Sequence, residues 1–87
     1  MKNPMALTGR TIIVTGAGQG IGKAISELVL DLGGNAVLVE RNPETLAAAA
    51  GTMPADRTLA LQGNVADEAF AEQCVADAAR RFGAVHG

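Results

Sequence analysis

The chain has 87 residues, seven of them Lys or Arg and nine Asp or Glu, for a formal charge of -2 at pH 7; that length supplies one small core, a single domain or part of one, and the scattered basic residues form no stripe for a nucleic-acid backbone or an anionic membrane. No apolar run suits a secretory signal or a membrane span, so a cytoplasmic protein is expected. Cys74 is the one cysteine and His86 the one histidine, which excludes an internal disulfide and leaves no cluster for a metal ion.

In chain order, Arg10 to Thr15 comes first: Thr11, Ile12, Ile13 and Val14 form a β-branched run without polar alternation, the pattern of a strand covered on both faces of a parallel sheet. TGAGQGIG, Thr15 to Gly22, follows directly. A strand ending in such a turn lets backbone N–H groups and the next helix N-terminus face an anion, because side chains are missing where the ligand approaches. The ligand implied is a dinucleotide pyrophosphate. From Ile21 to Leu32 the apolar positions Ala24, Ile25, Leu28, Val29 and Leu32 recur at helical spacing, and Gly33-Gly34 supplies a stop. Asn35 to Glu40 repeats the buried-strand pattern through Ala36, Val37, Leu38 and Val39, which completes a βαβ unit.

Asn42-Pro43-Glu44 reads as an N-cap with Pro in the first turn, leading into a helix through Leu46 and the alanines 47 to 50, with Gly51 as terminator. Thr58 to Gln62 is the third strand. Asp67 to Phe82 is the third helix, with Ala71, Val75, Ala78 and Phe82 on one stripe, Cys74 beside it as a small core residue, and Gly83 ending it. Ala84 to Gly87 look like the start of a fourth strand. The expected fold is α/β, a Rossmann-type doubly wound parallel sheet represented by its N-terminal part only. The element order is β-α-β-α-β-α, the strand order 3-2-1, and the ligand crevice lies where the next strand would join beside the first. Residues 1–87 are thus expected to be the N-terminal portion of one NAD(P)-binding domain, incomplete at its C-terminus.

In the turn, Gly16 would permit the sharp exit from the strand, Gly20 the close approach of backbone to pyrophosphate, and Gly22 the tight packing of helix on sheet, with Gly18 adding latitude. Gly22-Lys23 suggests a P-loop, but that motif needs Gly at position 17 and Ser or Thr at position 24, and both are alanine here. An adenosyl-methionine methyltransferase uses similar glycines, and the spacing disfavours it. Glu40, at the end of the second strand, is placed to accept both ribose hydroxyls of an adenosine and to repel a 2′-phosphate. Arg41 could pair with that same phosphate, so the two neighbours argue for opposite cofactors. NAD is favoured, with NADP left open.

Thr15 to Gly22 resembles the TGxxxGIG motif of the short-chain dehydrogenase/reductase family, and the resemblance spans essentially the whole chain. It implies that Gln19, Gly20 and Ile21 contact the cofactor phosphates and that the residue at position 40 selects NAD over NADP. The neutral Gln19 adds weight to NAD, since NADP-preferring members often carry a basic residue there. Gly63-Asn64-Val65 resembles the family's Asp-Val pair after the third strand, which holds the adenine. With Asn64 in place of the acid, an amide oxygen can still accept from the adenine amino group, and a turn-forming Asn is the other reading.

The resemblance further implies hydride transfer at a carbonyl or alcohol, with a Tyr as general acid/base, a Lys and a Ser, usually in a homo-oligomer. The chain contains no Tyr, so no catalytic residue is assigned within it, and the segment alone is expected to be inactive. Two readings follow: the cofactor-binding part of a longer oxidoreductase, or a truncated, non-catalytic nucleotide-binding fragment.

Overall fold

Parallel strands buried on both faces need apolar side chains at every position, and β2 (Asn35–Glu40) meets that demand most fully, with Ala36 to Val39 all buried. The computed structural model describes residues 7–18 and 20–83. Around β2 it places β1 (Thr11–Thr15) and β3 (Thr58–Gln62), with helices α1 (Gly20–Asp31), α2 (Pro43–Ala50) and α3 (Glu68–Phe82). A single 3-10 turn, Ala55–Arg57, precedes β3. The sheet has three strands in the order β1-β2-β3, all parallel, which from the other edge is the expected 3-2-1. The register runs from Thr11 opposite Asn35 to Thr15 opposite Val39, and from Ala36 opposite Thr58 to Glu40 opposite Gln62.

Alternation along β2 divides the core. Ala36 and Leu38 join Val14, Val29, Leu30 and Leu46 on the face covered by α1 and α2. Val37 and Val39 join Cys74 and Ala78 on the opposite face, under α3, with Phe70 and Phe82 packed alongside. Helices on both faces make the sheet doubly wound.

Element boundaries follow the sequence closely. Asn42 caps α2, its Oδ1 accepting the N–H of Glu44 at 2.9 Å and of Thr45 at 3.3 Å. Asp67 caps α3 through Ala69 and Phe70. Gly33 and Gly83 take positive φ at the ends of α1 and α3. Gly51 does not. It stays right-handed at φ -64, and the Thr52 hydroxyl donates to the carbonyl of Ala49 at 2.9 Å, which also accepts the Thr52 N–H at 3.3 Å. The expected fourth strand, Ala84 to Gly87, lies outside the described residues.

Two helix faces differ from expectation. In α1 the buried residues are Ser26, Val29 and Leu30, while Ile21, Ile25 and Leu28 are 79%, 44% and 54% exposed and Ala24 is exposed too. Apolar residues occupy two arcs of this helix, and the buried arc includes a serine. Its hydroxyl donates to the carbonyl of Gly22 at 2.9 Å, which removes the cost of burying it. In α3 the second half of the expected stripe holds, with Ala78 buried and Phe82 packed beside it, while in the first half Phe70 and buried Cys74 take the places expected for Ala71 and Val75, and Val75 is 50% exposed. Cys74 is a core residue, and its thiol pKa is pushed up by burial and by the neighbouring Asp77 charge.

The C-terminus of α1 has no basic residue in its last turn. Arg57 supplies one from the turn before β3, donating from Nε at 3.2 Å and Nη2 at 2.9 Å to the carbonyl of Gly34, and from Nη2 to that of Leu30. The Leu30 carbonyl also accepts the N–H of Gly33 at 3.0 Å, so the guanidinium adds a charged donor at that end and complements the helix dipole. Arg57→Met should therefore lower unfolding stability by about 1.5–2 kcal/mol, the lower part of the range for charged hydrogen bonds because the side chain is half-buried. A urea midpoint unchanged from the parent would show that Arg57 ties nothing down.

Candidate dinucleotide-binding site

The site lies at the carboxyl ends of the three strands, where the ladder stops and backbone donors need new acceptors. Thr15 ends β1 and Gly16, at φ +64, turns the chain. The Ala17 N–H still reaches β2, donating to the carbonyl of Val39 at 3.1 Å. The next N–H, that of Gly18, donates to Oε1 of Glu40 at 3.1 Å. Gly20 then takes φ +60 where α1 begins.

The glycines have different reasons to be glycine. A Cβ on Gly16 or Gly20 would meet nothing within 4 Å, so both are required by backbone conformation, and the space beside them is open. A Cβ on Gly22 would run into the carbonyl oxygen of Gly16 and stand 2.7 Å from its carbon. Gly22 thus lets α1 pack on the turn's own backbone, where packing on the sheet was expected. Gly18 is more constrained than its sequence suggests, since a Cβ there would stand 2.8 Å from Cγ and Oε1 of Glu40 and 2.9 Å from Oγ1 of Thr45. Gln19 lies outside the described residues.

With Ala17 and Gly18 committed to the frame, the donors free of intrahelical partners are those of the first turn of α1, at Gly20, Ile21 and Gly22. No acidic side chain stands in that turn to oppose an anion. Ile21 is largely exposed at its start.

Glu40 faces the turn from the end of β2. Its Oε2 accepts the N–H of Arg41 at 2.9 Å and of Asn42 at 3.2 Å, in addition to Gly18 on Oε1. These donors, Asn42 first and then Gly18, hold the carboxyl below the usual carboxylate range; partial desolvation opposes them, and Arg41 adds an amide and a charge. A carboxylate has about four acceptor positions, so one remains after these three bonds. Arg41 is exposed.

Asn64 follows β3. Its Oδ1 accepts the N–H of Ala66 at 2.9 Å and its carbonyl accepts that of Asp67 at 2.9 Å, an Asx turn that leads into α3. The amide oxygen keeps a second lone pair. Val65 is 40% exposed. Gly63 joins this loop to the rest of the site: its N–H donates to the carbonyl of Glu40 at 3.0 Å, and a Cβ there would stand 2.6 Å from Cε1 of Phe70. The ring of Phe70 lies over a glycine, a contact the sequence signals only through the i, i+4 row that Phe70 begins in α3.

A cleft of about 190 Å³ brings Gly16, Glu40, Arg41, Asn64 and Val65 together, with Thr15, Val39 and Gly63 completing its walls. Gly20, Ile21 and Gly22 stand next to it at the start of α1 and do not line it. A larger cleft of about 410 Å³ runs between α1 and residues 52–54, among Lys23, Glu27 and Asp31. It includes neither the glycine turn nor the strand ends that line the smaller one. Among the described residues no group of His, Cys, Asp or Glu could hold a metal ion.

A family profile described as short chain dehydrogenase matches residues 10–87. The chain belongs to the short-chain dehydrogenase family. It is 34% identical over 82 residues to the sorbitol dehydrogenase of Cereibacter sphaeroides, covering 93% of this chain and 31% of that protein. It is 38% identical over 71 residues to the NAD-dependent glycerol dehydrogenase of Listeria innocua, covering 82% of this chain and 28% of that protein. A solved short-chain dehydrogenase/reductase from Brucella melitensis, a glucose/ribitol dehydrogenase, superposes with a TM-score of 0.85 at 36% identity, covering 91% of this chain and 34% of that one. The chain thus spans about a third of the length of these relatives.

The overlap at Gly22 gives a direct check of the turn. Gly22→Ala places a methyl group in the Gly16 carbonyl and should cost about 1–3 kcal/mol of stability, the range for overpacking a tight contact. A thermal midpoint equal to the parent's would mean that α1 does not rest on the turn.

Proposed function

We propose that this chain is the adenine- and pyrophosphate-binding part of an NAD(P)-dependent oxidoreductase, which as a whole moves hydride between a nicotinamide and a carbonyl or alcohol substrate. The observation that carries the reading is the juxtaposition at the strand ends: a glycine turn with open space beside Gly16 and Gly20 faces a carboxylate at the end of β2. The names of the relatives, sorbitol, glycerol and glucose/ribitol dehydrogenases, agree with an alcohol or carbonyl substrate.

The residues present fit a dinucleotide. The first-turn N–H groups of Gly20, Ile21 and Gly22, beside Gln19, would hold the pyrophosphate at the positive end of the α1 dipole. Glu40, with its remaining acceptor position, would take the adenosine ribose. Asn64 and Val65 would border the adenine on the far wall of the cleft. The cofactor, when bound, supplies the hydride chemistry; these residues bind and orient it. The proton donor is assigned outside residues 1–87, which contain no Tyr, so the segment alone should bind without turnover.

NAD is the favoured cofactor, because a carboxylate held ionised at position 40 repels a 2′-phosphate at close range. The NAD-dependence of the Listeria innocua relative agrees with this. Arg41 remains the group through which NADP would be accommodated. The full-length protein should bind NADH at least tenfold more tightly than NADPH in fluorescence titrations; equal affinities would remove Glu40 as a selector. Gly20→Val puts a β-branched side chain into the open space at a backbone conformation with φ +60, and should weaken NADH binding at least tenfold. Unchanged affinity for NADH would move the pyrophosphate site away from this turn.

A further inference from the structure

We infer that the Glu40 carboxylate is a latch that holds the phosphate turn in its binding shape, in addition to facing the ribose. The inference rests on the proposed dinucleotide site and concerns how that site is kept formed. It starts from the end of the ladder. The carbonyl of Val39 takes the N–H of Ala17, and the carbonyl of Glu40, the next on β2, is turned toward β3, where it takes the N–H of Gly63. No β2 carbonyl is therefore left for the next turn N–H, that of Gly18. The Glu40 side chain fills the place, with Oε1 at 3.1 Å from the Gly18 nitrogen. A carboxylate thus continues the β1–β2 pairing one step beyond the backbone.

The other half of the group is fixed as firmly. Oε2 takes the N–H groups of Arg41 and Asn42 at 2.9 and 3.2 Å, so the carboxylate cannot turn away from Gly18 without giving up bonds to the start of α2. Contact with the turn is close enough that residue 18 has room only for hydrogen on its α-carbon. Glutamine cannot replace this arrangement, because its amide offers one accepting oxygen and presents N–H groups where the carboxylate has its second oxygen.

A residue that acted only by sorting cofactors at the 2′ position would, once neutralised, lose NAD affinity and gain NADP affinity. A latch behaves differently, since the turn it holds carries the pyrophosphate common to both. Glu40 is accordingly a positioning residue for the phosphates of either dinucleotide.

The test uses the full-length protein and two variants, Glu40→Gln and Gly18→Ala. The second keeps the carboxylate but inserts a methyl group between it and the turn. Hydrogen exchange of the segment 16–22 is measured without ligand, and dissociation constants for NADH and NADPH are measured by fluorescence. Expected are exchange in that segment at least tenfold faster in both variants, NADH binding weakened at least tenfold in both, and NADPH binding weakened at least tenfold in Gly18→Ala, which keeps the carboxylate and its charge. Exchange unchanged in Glu40→Gln, or both dinucleotides bound by Gly18→Ala as tightly as by the parent, overturns the latch. Should the parent bind neither dinucleotide, the proposed function fails, and the exchange comparison still decides whether Glu40 holds the turn.

Discussion

Backbone N–H groups at the carboxyl end of a parallel strand lose their acceptors when the ladder stops, and they have to find others or reach water. In this chain that requirement organises the whole candidate site. Five of these N–H groups find acceptors at the end of β2: the Val39 carbonyl for Ala17, the Glu40 carboxylate for Gly18, Arg41 and Asn42, and the Glu40 carbonyl for Gly63. One residue therefore links the β1 turn, the start of α2 and the loop after β3. β2 can serve as this anchor because Ala36 to Val39 are buried on both faces, which leaves its register no freedom to slip.

Much of the fold was legible in the sequence because parallel strands and helix ends write themselves locally. The runs at Thr11–Thr15, Asn35–Glu40 and Thr58–Gln62 are the observed strands, and Asn42, Asp67, Gly33 and Gly83 terminate helices as their chemistry requires. Contacts between distant segments were less visible. Ser26 is polar by type and buried through a bond to Gly22, so a search for an apolar stripe passes over it and selects Ile25 and Leu28, which are exposed. Arg57 reaches the end of α1 across a long stretch of chain, and no local pattern marks it. The inward row of α3 is Phe70-Cys74-Ala78-Phe82, which shares Ala78 and Phe82 with the expected one and differs in its first half, where Phe70 finds its place over Gly63.

The candidate site was legible as a set of residue types, while the reasons behind them were not. Gly18 stands out in the sequence as a glycine, but the demand for it comes from Glu40, which is distant in sequence and adjacent only in the fold. Asn64 has its amide oxygen engaged with Ala66, so it shapes the loop whether or not it also meets an adenine. The chain belongs to the short-chain dehydrogenase family, and the proposed reading makes this segment one of binding features without reactive ones. Binding an anion on backbone N–H groups needs glycine and helix geometry, whereas proton transfer needs a titratable side chain at the reacting carbon, and these 87 residues hold no Tyr to supply one.

A crystal structure of the full-length protein with bound NAD bears most directly on the central claim that the strand ends form a dinucleotide site organised by Glu40. The pyrophosphate is expected within hydrogen-bond reach of the backbone between Gly20 and Gly22, with the adenosine ribose on Glu40 while that carboxylate still accepts the Gly18 N–H. A dinucleotide seated elsewhere, or a Glu40 side chain released from Gly18 in the complex, would contradict it.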